Sequence, residues 1–189
     1  MTLPIALVGM PGGGKSTVGR HLARRLGVDF FDTDSVIERR IGCSIRVFFE
    51  REGEARFRDI ESEILVDRVG SSAGVIATGG GIVIRAANRD LLIDHTICVY
   101  LRSSPEELFR RLRHDTKRPL LQVADPLSQL RQLFVERDPL YRQAARFIIE
   151  TGRPSVATLV NMILMQLELA GLVDDARAPS PVDAPARPH

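Results

Sequence analysis

The chain has 189 residues and is 44% hydrophobic, which is typical of one globular domain with a sizeable core. Its 26 basic residues nearly balance 24 acidic ones, and a formal net charge of +2 gives no strong basic field that would indicate a nucleic-acid partner. The first apolar run is far too short to span a membrane, and no basic segment precedes it. We therefore expect a soluble, cytoplasmic monomer that binds neither nucleic acid nor a membrane.

A glycine-rich motif lies near the start of the chain. Residues 9–17 read G-M-P-G-G-G-K-S-T and match the P-loop pattern G-x-x-x-x-G-K-[ST] at every fixed position. The apolar run 3–8 predicts a buried strand before the motif, and the apolar spacing over 18–26 predicts a helix after it. Such a turn forms a nest of N–H groups at the positive end of a helix, so it predicts a site for nucleotide phosphates. The candidate residues are Gly12, Gly13, Gly14, Lys15, Ser16 and Thr17.

A second short strand, predicted at 28–32, ends in two aspartates separated by one residue. The carboxyl ends of strands in open α/β sheets face the ligand crevice, so Asp32 and Asp34 are candidates for chemistry. Because no strongly apolar run ends in the aspartate of a Walker B motif, Asp32 is the favoured acidic partner for a metal ion. In the alternative interpretation, Thr33 or Asp34 caps the helix predicted at 35–41, and both roles can hold together.

Further polar candidates lie on and after the helix predicted at 54–69. Arg58 and Glu61 are spaced so that they share one face of this helix. The alternative for Arg58 is a solvated ion pair with Glu61 or Glu54. The next strand, predicted at 74–78, runs into three consecutive glycines. Glycines allow positive φ angles and close approach of a ligand to the backbone, whereas the alternative is a flexible turn.

The remaining pattern completes an alternation of strands and helices. Strands are predicted at 96–101 and 146–150, and helices at 45–50, 85–93, 105–113, 126–144 and 155–172. The polar segment 114–125 has no clear period, and loops of this length in compact domains are often lids. Residues 173–189 are rich in proline and alanine, which indicates a disordered tail. We expect one domain over 1–172 with a three-layer α/β fold, whose parallel sheet of five strands has right-handed crossovers.

A P-loop predicts a nucleoside triphosphate with Mg²⁺ but does not separate kinases from GTPases or motor ATPases. No guanine-specific N-K-x-D motif is present, because neither lysine follows an asparagine, and the size fits a small-molecule kinase. Phosphoryl transfer requires positioning and charge neutralisation, which Lys15, the metal and a lid cation such as Arg118 can supply. Arg58 suggests an acceptor with a carboxylate, since arginine binds carboxylates as a fork, and Asp34 suggests hydroxyl groups on the same molecule.

Six segments between Gly9 and Arg153 occur in a characteristic order. They are G-M-P-G-G-G-K-S-T, F-D-T-D, S-I-x-x-x-F with G-E-x-x-F-R-x-x-E, T-G-G-G, K-R-P-L-L and E-R-x-P-L-Y. This set resembles shikimate kinase of the bacterial type. The resemblance implies a P-loop fold like that of the nucleoside monophosphate kinases, with sheet order 2-3-1-4-5 and substrate-binding helices at about 33–62. It also implies that ATP phosphorylates the 3-hydroxyl of shikimate, a step in the biosynthesis of chorismate and aromatic amino acids.

The resemblance further implies roles for individual residues. Ser16 would ligate one Mg²⁺ ion and Asp32 would hold it through water. Asp34 would bind ring hydroxyls and take the acceptor proton, whereas Arg58 and Arg137 would clamp the carboxylate. The catalytic set would be Lys15, Asp34 and Arg118, and the shikimate pocket would be completed by the backbone N–H groups of Gly79, Gly80 and Gly81. The ATP side would be completed by Arg118, Arg153 and Arg111, with Arg110 as the alternative to Arg111.

Two other functions remain open at this point. A gluconate kinase would share the P-loop and an anionic substrate with several hydroxyl groups. A non-catalytic nucleotide sensor would share the fold but lack a catalytic element, and none is missing from this chain. The combination of Asp34, Arg58, three glycines and Arg137 favours shikimate.

Overall fold

The computed structural model describes residues 3–71, 73–113, 124–152 and 154–173. The predicted lid at 114–125 lies outside the described residues except for its last two positions, and Arg118 is among those not described. Arg153 and the predicted tail beyond 173 also lie outside them.

The described residues are organised around a parallel sheet. Its strands are β1 (Ile5–Val8), β2 (Asp29–Asp32), β3 (Gly74–Ala77), β4 (Ile97–Arg102) and β5 (Phe147–Glu150). Their order is β2-β3-β1-β4-β5, and every neighbouring pair is parallel, which confirms the expected topology. The central strand β1 is apolar and fully buried, as expected for a strand with both faces covered.

Helices follow the strands along the chain. They are α1 (Lys15–Leu26), α2 (Thr33–Ile41), α3 (Ile45–Glu52), α4 (Glu54–Val69), α5 (Ala86–His95), α6 (Pro105–Leu112), α7 (Pro126–Ala144) and α8 (Val156–Leu169). The bounds of α4 and α7 are those predicted from the sequence. None of the described helices is both long enough and apolar enough to cross a membrane.

The start of α2 corrects one detail of the sequence interpretation. The helix begins at Thr33 rather than at Ser35, and neither Thr33 nor Asp34 caps it. Asp32, still in an extended conformation at the end of β2, accepts a hydrogen bond from the Ser35 N–H at 3.2 Å. The cap therefore uses Asp32 and leaves the Asp34 carboxylate for the site.

Apolar side chains cover both faces of the sheet, which gives the three layers. Ile5 and Leu7 of β1 pack with α1 and α8, whereas Ala6 and Val8 pack with α4 to α7. The alternation follows from the period of a strand, in which successive side chains point to opposite faces. A third apolar cluster holds α2, α3 and α4 together: Ile37, Phe57, Ile60 and Ile64 are buried, and Ile45, Phe48 and Phe49 of α3 pack against them.

The ends of the three adjacent strands β2, β3 and β1 lie level with one another. Asp32 pairs with Ala77, and Ala77 pairs with Leu7 of the central strand. Because the strands are parallel, their carboxyl ends bring the P-loop, the two aspartates and the triple glycine to one edge of the sheet.

Candidate active site

The P-loop curves over the start of α1. Gly14 caps this helix, and the φ angles of Gly12 and Gly14 are +78° and +85°, values that favour glycine. The first N–H groups of a helix have no helical acceptor, and here they lie beside the glycine-rich turn. The geometry therefore matches a phosphate-binding nest.

Lys15 is buried within this turn. Its side-chain Nζ donates to the backbone carbonyls of Gly9 and Met10, at 2.8 Å each, and the residue is 7% exposed. These contacts hold a positive charge at the floor of the loop, next to the expected position of the β- and γ-phosphates.

Ser16 and Asp32 come together across the loop. The Ser16 hydroxyl donates to the Asp32 carboxylate, and both residues line the same cavity. Their oxygens are ligands that suit Mg²⁺, which is usually bound by one or two protein groups together with substrate phosphates. Within the described ranges no cluster of three or more His, Cys, Asp or Glu residues forms a metal site of its own. The donor set thus fits a metal ion that arrives with a nucleotide.

One open cavity of about 970 Å³ connects the phosphate site with the predicted acceptor site. The predicted residues that line it are Gly12, Gly13, Gly14, Lys15, Ser16, Thr17, Asp32, Asp34, Arg58, Gly79, Gly80, Gly81 and Arg137. Arg111 is not among the lining residues. Its guanidinium lies 3.9 Å from the Glu107 carboxylate and about 4.0 Å from where a Cβ on Gly14 would stand.

Arg58 is held in the cavity by two glutamates. Its Nη1 donates to Glu61 at 2.8 Å, and its Nη2 donates to Glu54 at 3.2 Å. Arg58 is 9% exposed and Glu61 is 1% exposed, so the alternative of a solvated pair is wrong for Glu61. Glu54 is the solvated partner, because 61% of its side chain is exposed. The Arg58 guanidinium therefore has one buried partner, Glu61, and one exposed partner, Glu54.

Two carboxylates of the site have perturbed affinities for protons. Burial raises the pKa of Asp34, the neighbouring Asp32 raises it further, and Lys15 offsets part of the effect. Burial also raises the pKa of Glu61, although the Arg58 guanidinium opposes this shift. A carboxylate whose pKa is raised accepts a proton more readily near neutral pH, as a general base must.

The triple glycine provides space for specific neighbours. A Cβ on Gly79 would lie 2.7 Å from Asp34 Oδ1 and 3.0 Å from Glu61 Oε2, and one on Gly80 would lie 2.7 Å from the Pro11 ring. A Cβ on the third glycine would overlap a guanidinium, that of Arg58. The absence of side chains in this loop is therefore what lets the charged groups approach one another.

Most polar backbone groups of the glycine loop (79–81) have partners. The first N–H donates to Thr33 Oγ1 at 3.1 Å, and the carbonyls of the first and third glycines accept from the N–H groups of Ile82 and Ile84. Among the described residues, the N–H groups of the second and third glycines have no hydrogen-bond partner. These two donors are available to a ligand in the cavity.

Arg137 reaches the cavity from α7, and its neighbour Asp138 anchors that helix. The Asp138 carboxylate accepts from the Tyr100 hydroxyl at 2.8 Å and from Arg102 Nε at 3.1 Å. It also accepts from Arg142, one turn along α7, at 2.8 Å. Because Arg102 belongs to β4, its ion pair with Asp138 connects the turn that carries Arg137 to the sheet.

Comparison with known proteins identifies this constellation. The family model described as shikimate kinase matches residues 11–168. The chain belongs to the shikimate kinase family.

Individual shikimate kinases are similar in sequence to this chain over nearly its whole length. A shikimate kinase from Paracidovorax citrulli is 59% identical over 182 residues, which cover 95% of this chain and 97% of that protein. The solved shikimate kinase from Acinetobacter baumannii in complex with shikimate is 44% identical with a TM-score of 0.86, over 92% of this chain and 97% of that one. A gluconokinase from Sinorhizobium meliloti is only 21% identical with a TM-score of 0.59, over 89% and 93%, and shares the fold alone.

Membership of the shikimate kinase family decides between the functions left open by the sequence. Sequence reasoning nevertheless missed two residues. The spacing of Glu61 from Arg58 indicates a solvated ion pair, yet Glu61 is almost fully buried. Tyr141 ends the segment E-R-x-P-L-Y, whose pattern assigns it no role, although its hydroxyl donates to the Gly80 carbonyl at 2.5 Å. Its position four residues after Arg137, on the same helix face, was an available signal.

Proposed function

We propose that this chain transfers the γ-phosphoryl group of ATP to the 3-hydroxyl of shikimate and so forms 3-phosphoshikimate and ADP. The observation that carries the proposal is that the phosphate nest and an acceptor site with two arginines line one cavity. Family membership, together with relatives described as shikimate kinases, supports both the reaction and its place in aromatic amino acid biosynthesis.

On the phosphate side, the N–H groups of the P-loop would surround the β- and γ-phosphates. Lys15 would exchange its carbonyl partners for these phosphates, since its Nζ already lies at the floor of the loop. Ser16 and Asp32 would hold Mg²⁺, which when bound supplies charge neutralisation at the phosphates. Their existing contact keeps both oxygens at the same point of the loop.

On the acceptor side, Arg58 and Arg137 would bind the shikimate carboxylate. The carboxylate would take the place of the solvated Glu54 on Arg58, while the buried Glu61 keeps the guanidinium in orientation. The free N–H groups of Gly80 and Gly81 would add two donors for the same molecule. An acceptor without a negative charge would lack the group that displaces Glu54.

Asp34 would bind the ring hydroxyls and accept the proton of the attacking one. Its position beside Gly79 places it between the P-loop and the acceptor arginines, and its raised pKa suits a base that works near neutral pH. The hydroxyl oxygen would then attack the γ-phosphorus as ADP leaves, and the proton would remain on Asp34.

Several further assignments complete the proposal. Arg118 would neutralise charge on the transferring phosphoryl group, and Arg111 and Arg153 would flank the adenine. The position of Arg111 near Gly14 supports a role on the nucleotide side. We also propose that the enzyme is a cytoplasmic monomer, as its composition suggests, and that one kinase domain spans residues 1–172.

A Gly81→Ala variant should raise the KM for shikimate about tenfold, as overpacking of a close site commonly does. The φ angle of Gly81 is not positive, so the backbone tolerates alanine, but the new methyl group would displace the Arg58 guanidinium. Steady-state kinetics with each substrate varied would measure this. Gly70→Ala at the end of α4 is the matched control, because its Cβ would meet only an ordinary contact. An unchanged shikimate KM in Gly81→Ala would contradict the proposed clamp.

The reaction itself is tested by a coupled assay of ADP release with Mg²⁺-ATP, in which shikimate, gluconate and AMP are offered in parallel. We expect ADP release that depends on shikimate alone and stops when EDTA removes the metal. Turnover with gluconate or AMP instead of shikimate would leave the phosphate site intact and refute the acceptor assignment. Tight ATP binding without turnover on any acceptor would favour a nucleotide sensor.

A further inference from the structure

One peptide group in the glycine loop is hydrogen-bonded to a buried side chain of α7. The Gly80 carbonyl accepts its hydrogen bond from the Tyr141 hydroxyl of α7. A peptide group is planar and trans, so its C=O and N–H point in opposite directions. Holding the Gly80 carbonyl on the α7 side therefore holds the Gly81 N–H on the other side.

This restraint matters because the neighbouring residues are all glycines. Glycine allows backbone rotations that other residues resist, so the Gly80–Gly81 peptide would otherwise reorient at little cost. A reversed peptide would present a carbonyl oxygen in place of an N–H donor. The carbonyl oxygen would repel an anionic acceptor, whereas the N–H group attracts it.

Tyr141 is well placed to impose the restraint. It is fully buried, and its ring packs against Tyr100 with centroids 4.9 Å apart. Burial raises the pKa of its hydroxyl to about 12, so the group stays protonated and can donate. It lies one helical turn after Arg137, whose positive charge and hydrogen bond with the Tyr141 hydroxyl both oppose this pKa shift. One hydroxyl thus links the glycine loop to the turn of α7 that carries the second acceptor arginine.

We propose that Tyr141 is a positioning residue for the acceptor: its hydroxyl sets the Gly80–Gly81 peptide so that the Gly81 N–H serves shikimate, in register with Arg137. The Tyr141 side chain is not among the residues that line the cavity. Because this role rests on the proposed function, its test begins with shikimate-dependent ADP release by the unmodified enzyme.

Tyr141→Phe and Tyr100→Phe form a matched pair of variants. Both tyrosines are fully buried, their rings are in contact, and each hydroxyl donates one hydrogen bond. The Tyr100 hydroxyl donates to Asp138, and in Tyr100→Phe this carboxylate would still accept from Arg102 and Arg142. We expect similar decreases of melting temperature in the two variants. The shikimate KM should rise about tenfold in Tyr141→Phe and stay within about twofold in Tyr100→Phe, the scale of one hydrogen bond. The KM for ATP should change in neither.

Thermal melts with saturating shikimate give a second readout that does not require turnover. The stabilisation by shikimate should be smaller in Tyr141→Phe than in Tyr100→Phe. An unchanged shikimate KM in Tyr141→Phe, or equal increases in both variants, would overturn the role of Tyr141 and leave the proposed reaction standing. Absence of shikimate-dependent turnover in the unmodified enzyme would overturn both.

Discussion

A Lys15→Met variant should lose kcat by roughly a thousandfold, the upper range for removing one preorganised donor at a developing charge. The Lys15 ammonium lies at the floor of the P-loop, where it is largely buried and bound to two backbone carbonyls. Methionine fills a similar volume without the charge, so the helix and loop should persist. Because the negative charge on the transferring group has to be neutralised in the transition state, kcat should fall much more than ATP affinity.

Single-turnover kinetics and ATP titration separate the two effects. Arg24→Met serves as the control, since it removes a basic side chain from the exposed face of the same helix α1. We expect the control to have normal kcat and both variants to retain the far-ultraviolet circular dichroism of the parent. A kcat for Lys15→Met close to that of the control would refute the assignment of the P-loop lysine.

An Arg58→Ala variant should raise the KM for shikimate by about a hundredfold, as expected when one member of a buried, hydrogen-bonded charge pair is removed. The change deletes the fork proposed to bind the carboxylate. It also leaves Glu61, at 1% exposure, without its principal positive partner, so a buried negative charge would face the incoming anion. The KM for ATP should change little, because the hydrogen bonds of Arg58 in the described structure go to Glu61 and Glu54 on its own helix.

Arg85→Ala is the matched control for Arg58→Ala. Arg85 pairs with Asp59 at 2.7 Å, but both side chains are substantially exposed and neither lines the cavity. Exposed pairs contribute little, so this variant should bind shikimate normally. Steady-state kinetics with shikimate varied at saturating ATP gives the comparison. Equal KM values in the two arginine variants would show that Arg58 does not clamp the acceptor.

The Arg58→Ala variant should also show a stability loss that grows with pH. Arg58 is the group that opposes the rise in the Glu61 pKa, so its removal should raise this pKa further. A raised folded pKa means that stability is complete below the unfolded value and is lost as pH rises through the folded one. The difference in melting temperature between variant and parent should therefore be larger at pH 8 than at pH 5. A pH-independent difference would contradict the electrostatic origin.

Much of the fold could be predicted because its signals are local. The bounds of α4 and α7 and the strand–loop–helix context of residues 9–17 follow from apolar periodicity and turn residues. The order of the strands was instead implied by the resemblance to a known family. The start of α2 could not be predicted to the residue. Two aspartates and a threonine compete for the cap there, and the winner depends on where β2 ends.

The functional site likewise has parts that the sequence predicts and parts that depend on tertiary packing. The sequence by itself determined the phosphate site, because a P-loop acts through contiguous backbone and the start of its own helix. It also indicated the family, through short motifs in a characteristic order. Only the tertiary structure decided that Glu61 is buried against Arg58, that Gly81 makes room for that guanidinium, and that Tyr141 holds the Gly80 carbonyl across 61 positions of the chain. Periodicity describes which face a residue occupies, whereas these contacts depend on how separate elements pack against one another.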